Sequence, residues 1–138
     1  MSLVFDSSAL LAYLNAETGG DLVRDFLDDA EVEKYAHTVN LCEVFYRVAL
    51  KAGEPVAHQV LDALRAAGLV ERNDRDTALW QDAAKLVAAQ RGHSHGLALG
   101  DAFCVALARR LGADIVTTDH AEFDPIAAAG LASVTFIR

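Results

Sequence analysis

Cysteine, proline and basic residues are all scarce in this chain of 138 residues, and each shortage narrows what it can be. The two cysteines, Cys42 and Cys104, sit in separate apolar helical stretches with no CxxC or Cys/His spacing. They read as buried free thiols, which excludes a disulfide scaffold or a zinc module. Two prolines and no low-complexity tract leave nothing to serve as a long linker, so residues 1–138 are read as one domain. No apolar run approaches the roughly 20 residues of a bilayer span; the longest cover residues 102–108 and 126–131. No membrane partner is expected. The N-terminal MSLVFDSS lacks a basic n-region and reads as a first strand, so the default compartment is cytoplasmic. Twelve Lys and Arg against 20 Asp and Glu give a net charge of −8, which argues against coating duplex nucleic acid with a broad basic face.

Several catalytic signatures are missing too. There is no Walker loop and no GxGxxG to cradle phosphates, and no GxSxG elbow accompanies Ser7 or Ser8. His93 and His95 flank Ser94 between glycines but have no third ligand at zinc-like spacing, so they read as a solvated loop. His37, His58 and His120 read as structural or exposed.

What the chain does have is 53% apolar content, enough for a core, arranged as short β-rich runs alternating with longer helical ones. Strands are expected at residues 3–6, 34–39, 69–71, 114–118 and 132–137. Helices are expected at 7–15, capped by Ser7 or Ser8; at 22–30; from Asn40, with Leu41, Val44, Phe45 and Val48 on one face; from Gly53-Glu54-Pro55 to about 67; from Asp74 or Asp76 toward Gln90; and from Gly100 to Gly112. A short helix should follow Asp124-Pro125. Five strands separated by helices imply a parallel sheet covered on both faces, with ligands gathering at its carboxyl edge.

Four acids occupy telling places in that scheme. Asp6 and Asp119 are expected at strand ends, and Glu43 and Asp101 in helix N-terminal turns, where partial positive charge eases their mutual repulsion. Singly, each has an ordinary role: a cap for Asp6, a macrodipole partner for Asp101, a capping arrangement of Asp119 with Glu122, an ion pair of Glu43 with Arg47. Jointly, carboxylates brought close must take up protons or bind a cation. A donor set of hard oxygens without His or Cys favours Mg²⁺ or Mn²⁺.

In order along the chain, the stretch from Val4 to Leu10 (VFDSSAL), Cys42-Glu43-Val44, Leu99-Gly100-Asp101-Ala102 and Thr117-Thr118-Asp119 resemble the motifs of PIN-domain ribonucleases. Within these, the chain resembles the VapC-like toxins of type II toxin-antitoxin modules, over its whole length. The resemblance implies a three-layer α/β/α, Rossmann-like PIN domain around a central parallel sheet of about five strands. It implies metal-site acids at Asp6, Glu43, Asp101 and Asp119, supported by Ser7 and Thr117. Asp6 and Asp101 would be the principal ligands, Asp119 would complete the shell or hold a second ion, and Glu43 would bind through water or act as base. The activity implied is Mg²⁺- or Mn²⁺-dependent endonucleolytic hydrolysis of RNA, with phosphate contacts from Arg47, Lys51, Arg91 or Arg109. A homodimer and a cognate antitoxin that plugs the cleft are implied as well. Asn40 departs from the family, which more usually has Ser or Thr there. The rival readings are a non-catalytic PIN-like module that binds protein or RNA, a housekeeping PIN nuclease without antitoxin, and a phosphohydrolase of small phosphates, the last weakened by the absence of a DxD pair at a strand end.

Overall fold

The structure, a computed structural model, describes residues 1–92 and 96–138; the His93 to His95 loop lies outside the described residues. The chain runs β1 (Ser2–Phe5), α1 (Ser7–Leu14), α2 (Gly20–Asp28), β2 (Glu33–His37), α3 (Thr38–Ala52), α4 (Glu54–Ala66), β3 (Leu69–Arg72), α5 (Thr77–Gln90), α6 (Leu99–Leu111), β4 (Asp114–Thr117), α7 (His120–Ala128) and β5 (Val134–Phe136). All pairings are parallel, and the strand order is β3-β2-β1-β4-β5. The expected three-layer α/β/α architecture with a five-stranded parallel sheet is the one observed.

Alternation along the strands builds the layers, because successive side chains point to opposite faces. Leu3, Phe5, Ala36 and Val116 pack into one core with α1 to α4, through Leu10, Val23, Val44 and Leu64. Val4 and Ile115 face the other way, into a second core with α5 to α7, through Leu86, Val105, Leu107 and Phe123. Phe5 in the first core and Phe123 in the second are the largest fully buried side chains among the described residues. The sheet is thus covered on both sides, as an all-parallel sheet requires. No helix among the described residues is long and apolar enough to cross a membrane.

Most departures from the expected boundaries have a capping cause. Asp6, not Ser7 or Ser8, caps α1: its side chain accepts from Ala9 N–H, which leaves β1 ending at Phe5. His37 caps α3 by accepting from Val39 N–H at Nδ1, so the helix opens at Thr38 rather than Asn40. The same tautomer lets Nε2–H donate to the Asp74 carbonyl at 2.9 Å, a structural role. This earlier start places Glu43 in the second turn of α3 and removes it from the N-terminal dipole it was expected to feel. Asp119 caps α7 through Glu122 N–H, so that helix begins five residues before Pro125 instead of after it. Gly112 stops α6 in the left-handed conformation as expected. Cys104 is buried, but Cys42 is exposed, because it points off the apolar stripe of α3.

Candidate metal centre

Strands β1 and β4 are neighbours in the middle of the sheet, and the chain leaves them in opposite directions: β1 is followed by the β2 and β3 half, β4 by β5. A parallel sheet opens a crevice at such a switch point, outside the carboxyl ends of its strands. The ladder continues one step past β1, with Asp6 N–H donating to the Val116 carbonyl at 3.1 Å, and so fixes Asp6 against the end of β4.

Asp6 is 1% exposed. Its Oδ1 accepts from Ser8 Oγ at 2.8 Å and from Ala9 N–H at 3.0 Å, and its Oδ2 accepts from Thr117 Oγ1 at 2.8 Å. These donors favour the ionised form, yet burial dominates and raises its carboxyl from the usual 3.8 to about 6, with the Asp119 charge acting in the same direction. Thr117 Oγ1 also accepts from Asp119 N–H at 3.0 Å, and Ser8 Oγ accepts from Thr118 N–H at 3.1 Å. The two hydroxyls therefore splice the start of α1 to the loop that leaves β4. Ser7 is buried, and its hydroxyl takes no part in this network among the described residues.

Asp101, Asp119 and Glu122 each bring a carboxylate oxygen to a common locus, all three within 4.8 Å of one another and all partly exposed. Asp101 stands in the first turn of α6, Asp119 caps α7, and Glu122 occupies the first turn of α7. Glu122 Oε2 accepts from Ala98 N–H at 3.0 Å, which ties α7 to the start of α6. Asp101 alone has no N–H or O–H donor from another group among the described residues. Burial, a proton-sharing contact with Glu122, and the charges of Asp6, Glu122 and Asp119 raise its carboxyl far above the usual range. Such a group takes either a proton or a cation. Cys104, one turn further along α6, is pushed upward by burial and by the Asp6 and Asp101 charges, which makes it an inert thiol.

Glu43 is not one of the trio. Its Oε2 pairs with Arg47 Nε at 2.9 Å across one turn of α3, and it is not among the charges that act most strongly on Asp6 or Asp101. Among the basic candidates, Lys51 donates to Asn15 Oδ1, and Arg109 is engaged by Asp82 and the Leu131 carbonyl. Sequence reasoning missed two residues, Ser8 and Glu122. Glu122 was legible only as a capping partner of Asp119; had α7 been started at His120, the three-residue spacing would have put both acids on one face.

A PIN domain model matches residues 3–128. A comparison with curated proteins gives no significant match. Among solved structures, the chain is similar to VapBC2 from Rickettsia felis bound to a DNA fragment from its promoter, at 12% identity and a TM-score of 0.74, covering 99% of this chain and 98% of that one. VapBC-1 from nontypeable Haemophilus influenzae gives 11% identity and a TM-score of 0.74 with the same coverage. VapC20 from Mycobacterium tuberculosis, described as a sarcin-ricin loop cleaving toxin, gives 17% identity and a TM-score of 0.70, covering 93% of this chain and 95% of that one. At such identities the likeness is one of fold.

Proposed function

The chain belongs to the PIN-domain family, and on that premise we propose that it is a divalent-metal-dependent endoribonuclease, the toxin member of a toxin-antitoxin pair, acting in the cytoplasm as a single domain over residues 1–138. The observation that carries the reading is Asp101: a largely buried carboxylate, without a donor among the described residues, facing three other carboxylates. Asp6, Asp119, Glu122 and Glu43 all have caps or ion-pair partners that would satisfy a purely structural protein. Asp101 has none among the described residues, and a buried charge without compensation is strongly unfavourable. That contrast favours a nuclease over a non-catalytic module, whose acids would need only to cap helices.

The donor set fits a hard cation. Asp101, Asp119 and Glu122 would hold Mg²⁺ or Mn²⁺ together with Asp6, with no imidazole or thiolate in the set to select zinc. Bound there, the ion would supply charge stabilisation on the attacked RNA phosphate and acidify a water at neutral pH. Ser8, Thr117 and the Ala9 N–H hold Asp6 in one orientation, so the centre is set before substrate arrives. Glu43 would bind through metal-held water or take the proton of the attacking water, and Arg47, if released from Glu43, would contact phosphate. Substrate, homodimer and antitoxin follow the same reading. A groove of about 800 Å³ between α1, α3 and α4 has Leu11, Leu14, Val48 and Val56 along it and Arg47 and Lys51 at its polar rim, and it would receive an apolar segment of the antitoxin.

The deciding experiment measures cleavage of a mixed-sequence RNA with Mn²⁺ by the wild-type chain and by Asp101→Asn, each shown to melt cooperatively. Cleavage should require Mn²⁺ and disappear in Asp101→Asn. Undiminished cleavage by the folded variant would remove the assignment, and a small DNA-binding protein encoded directly upstream would support the toxin role.

A further inference from the structure

Asn40 is a buried polar side chain that neither folding nor the proposed chemistry has absorbed. It lies in the first turn of α3, is fully buried, and donates from Nδ2 to the Gly100 carbonyl of α6 at 3.2 Å. Its Oδ1 has no partner among the described residues. An alternative flip of the amide would not help, since it would set the oxygen against the Gly100 carbonyl and leave the NH₂ group buried without an acceptor.

Stability does not explain this residue. The Gly100 carbonyl belongs to the first turn of a helix and has the helical ladder to satisfy it. An apolar residue of similar size would fill the site without burying an unpaired amide oxygen, which is a net cost. The contact also falls where two elements of the centre approach closely. A Cβ placed on Gly100 would meet only Val39 Cγ1 at 3.6 Å and Asn40 Nδ2 at 3.9 Å, so the amide is what spans the gap between the helices. Gly100 directly precedes Asp101, and Glu43 follows Asn40 by three residues, on the same side of α3. A local rule broken beside a functional group points to a positional demand.

We propose that Asn40 is a positioning residue, a latch from α3 to the first turn of α6 that sets the placement of Asp101 for the cation. The inference rests on the metal-centre reading above and extends it to a residue outside the carboxylate set. A side chain that orients a ligand's backbone changes metal affinity about 10- to 100-fold when it is removed. Asn40→Leu removes the latch and the orphan oxygen together. Asn40→Ser keeps a polar group too short to reach the Gly100 carbonyl.

The test is Mn²⁺ titration of the full, metal-free chain, followed by the paramagnetic resonance of free Mn²⁺, alongside thermal melts in EDTA. Asn40→Leu and Asn40→Ser should each bind Mn²⁺ about tenfold more weakly, while the EDTA melt of Asn40→Leu stays cooperative and close to that of wild type. A packing role predicts the reverse, a lowered melting temperature with unchanged affinity, and that result overturns the latch. If Asn40→Leu does not melt cooperatively, Asn40→Ser decides; failure of both to fold makes Asn40 a core residue and also overturns it. Asp101→Asn separates the two levels. Loss of Mn²⁺ there with wild-type affinity in the Asn40 variants sinks the latch alone, whereas retained Mn²⁺ binding in Asp101→Asn sinks the centre and the latch with it.

Discussion

Replacing Asp6 with Asn should stabilise the metal-free protein at alkaline pH, although it alters a buried helix cap. In the wild type the Asp6 carboxyl rises from 3.8 to about 6 on folding. The native state therefore holds a proton that the unfolded state has released, and stability falls as pH increases through that interval. The contribution is complete below 3.8 and gone above about 6. An interval of this size amounts to about 3 kcal/mol, with no discount for solvent because the side chain is 1% exposed. Asn retains the hydrogen bonds: its Oδ1 accepts from Ser8 Oγ and Ala9 N–H, and its Nδ2 donates to Thr117 Oγ1. The displaced Thr117 hydroxyl proton turns to Ser8 Oγ, 3.2 Å away. In EDTA near pH 8 the variant should gain about 3 kcal/mol, or about 10 °C in melting temperature for a chain of this length. Near pH 4 the two proteins should melt almost together. Saturating Mn²⁺ should invert the order at pH 8, since a ligand at about 1,000 times its Kd adds about 4.1 kcal/mol to the wild type alone. Calorimetry at the two pH values, with and without Mn²⁺, measures all four quantities. A variant less stable than wild type at pH 8 in EDTA would refute the reasoning, because it would mean that the cap outweighs the burial of charge.

Other consequences follow from the same contacts. Glu122→Gln keeps an acceptor for Ala98 N–H while removing a charge beside Asp101, so it should raise the EDTA melting temperature at pH 8 and reduce the Mn²⁺-induced shift in the same scan. Ser8→Ala strands the Thr118 N–H and takes a donor from Asp6, and should cost about 1–3 kcal/mol in urea denaturation, more at pH 8 than at pH 4. Arg47→Ala breaks a largely exposed ion pair, so stability should change by less than about 1 kcal/mol, while KM for RNA rises if Arg47 contacts phosphate. Phe5→Ala should cost about 3–5 kcal/mol by cavity formation in the core under α1, measured by chemical denaturation.

The layers were legible because alternating Leu3, Val4 and Phe5 and the all-round apolar α6 leave few other ways to bury the chain, and β1 and β4 came together as the parallel sheet required. Boundaries were less legible where a side chain caps its helix in an unexpected way. Asp6 was read both as the last strand residue and as a possible cap, and the structure makes it the cap alone; Pro125 was read as a helix start although α7 begins at His120. The second error hid Glu122, since a residue outside a helix has no helical face to share with Asp119. Glu43 shows the converse: its four-residue spacing to Arg47 marked an ion pair in sequence, and the structure forms it. Local spacing encodes such pairs, but the tertiary locus where α6 meets α7 is set by which strand ends adjoin, and no local motif records it.

Capping and cation binding are not alternatives for these acids, because a carboxylate has two oxygens. Asp119 spends Oδ1 on Glu122 N–H, and Glu122 spends Oε2 on Ala98 N–H, so each keeps one oxygen for the common locus. Asp6 has donors on both oxygens and can offer only a remaining lone pair on Oδ2, beside Thr117. Asp101 offers both. On the proposed reading the trio and Asp6 carry as many as four negative charges, of which a divalent ion offsets two. Proton uptake on Asp101 lowers the remainder when the ion is absent. The acid that looked most like a simple helix-start residue in sequence is thus the one with the least structural employment. Its exchange for Asn should therefore cost the fold least and the metal most.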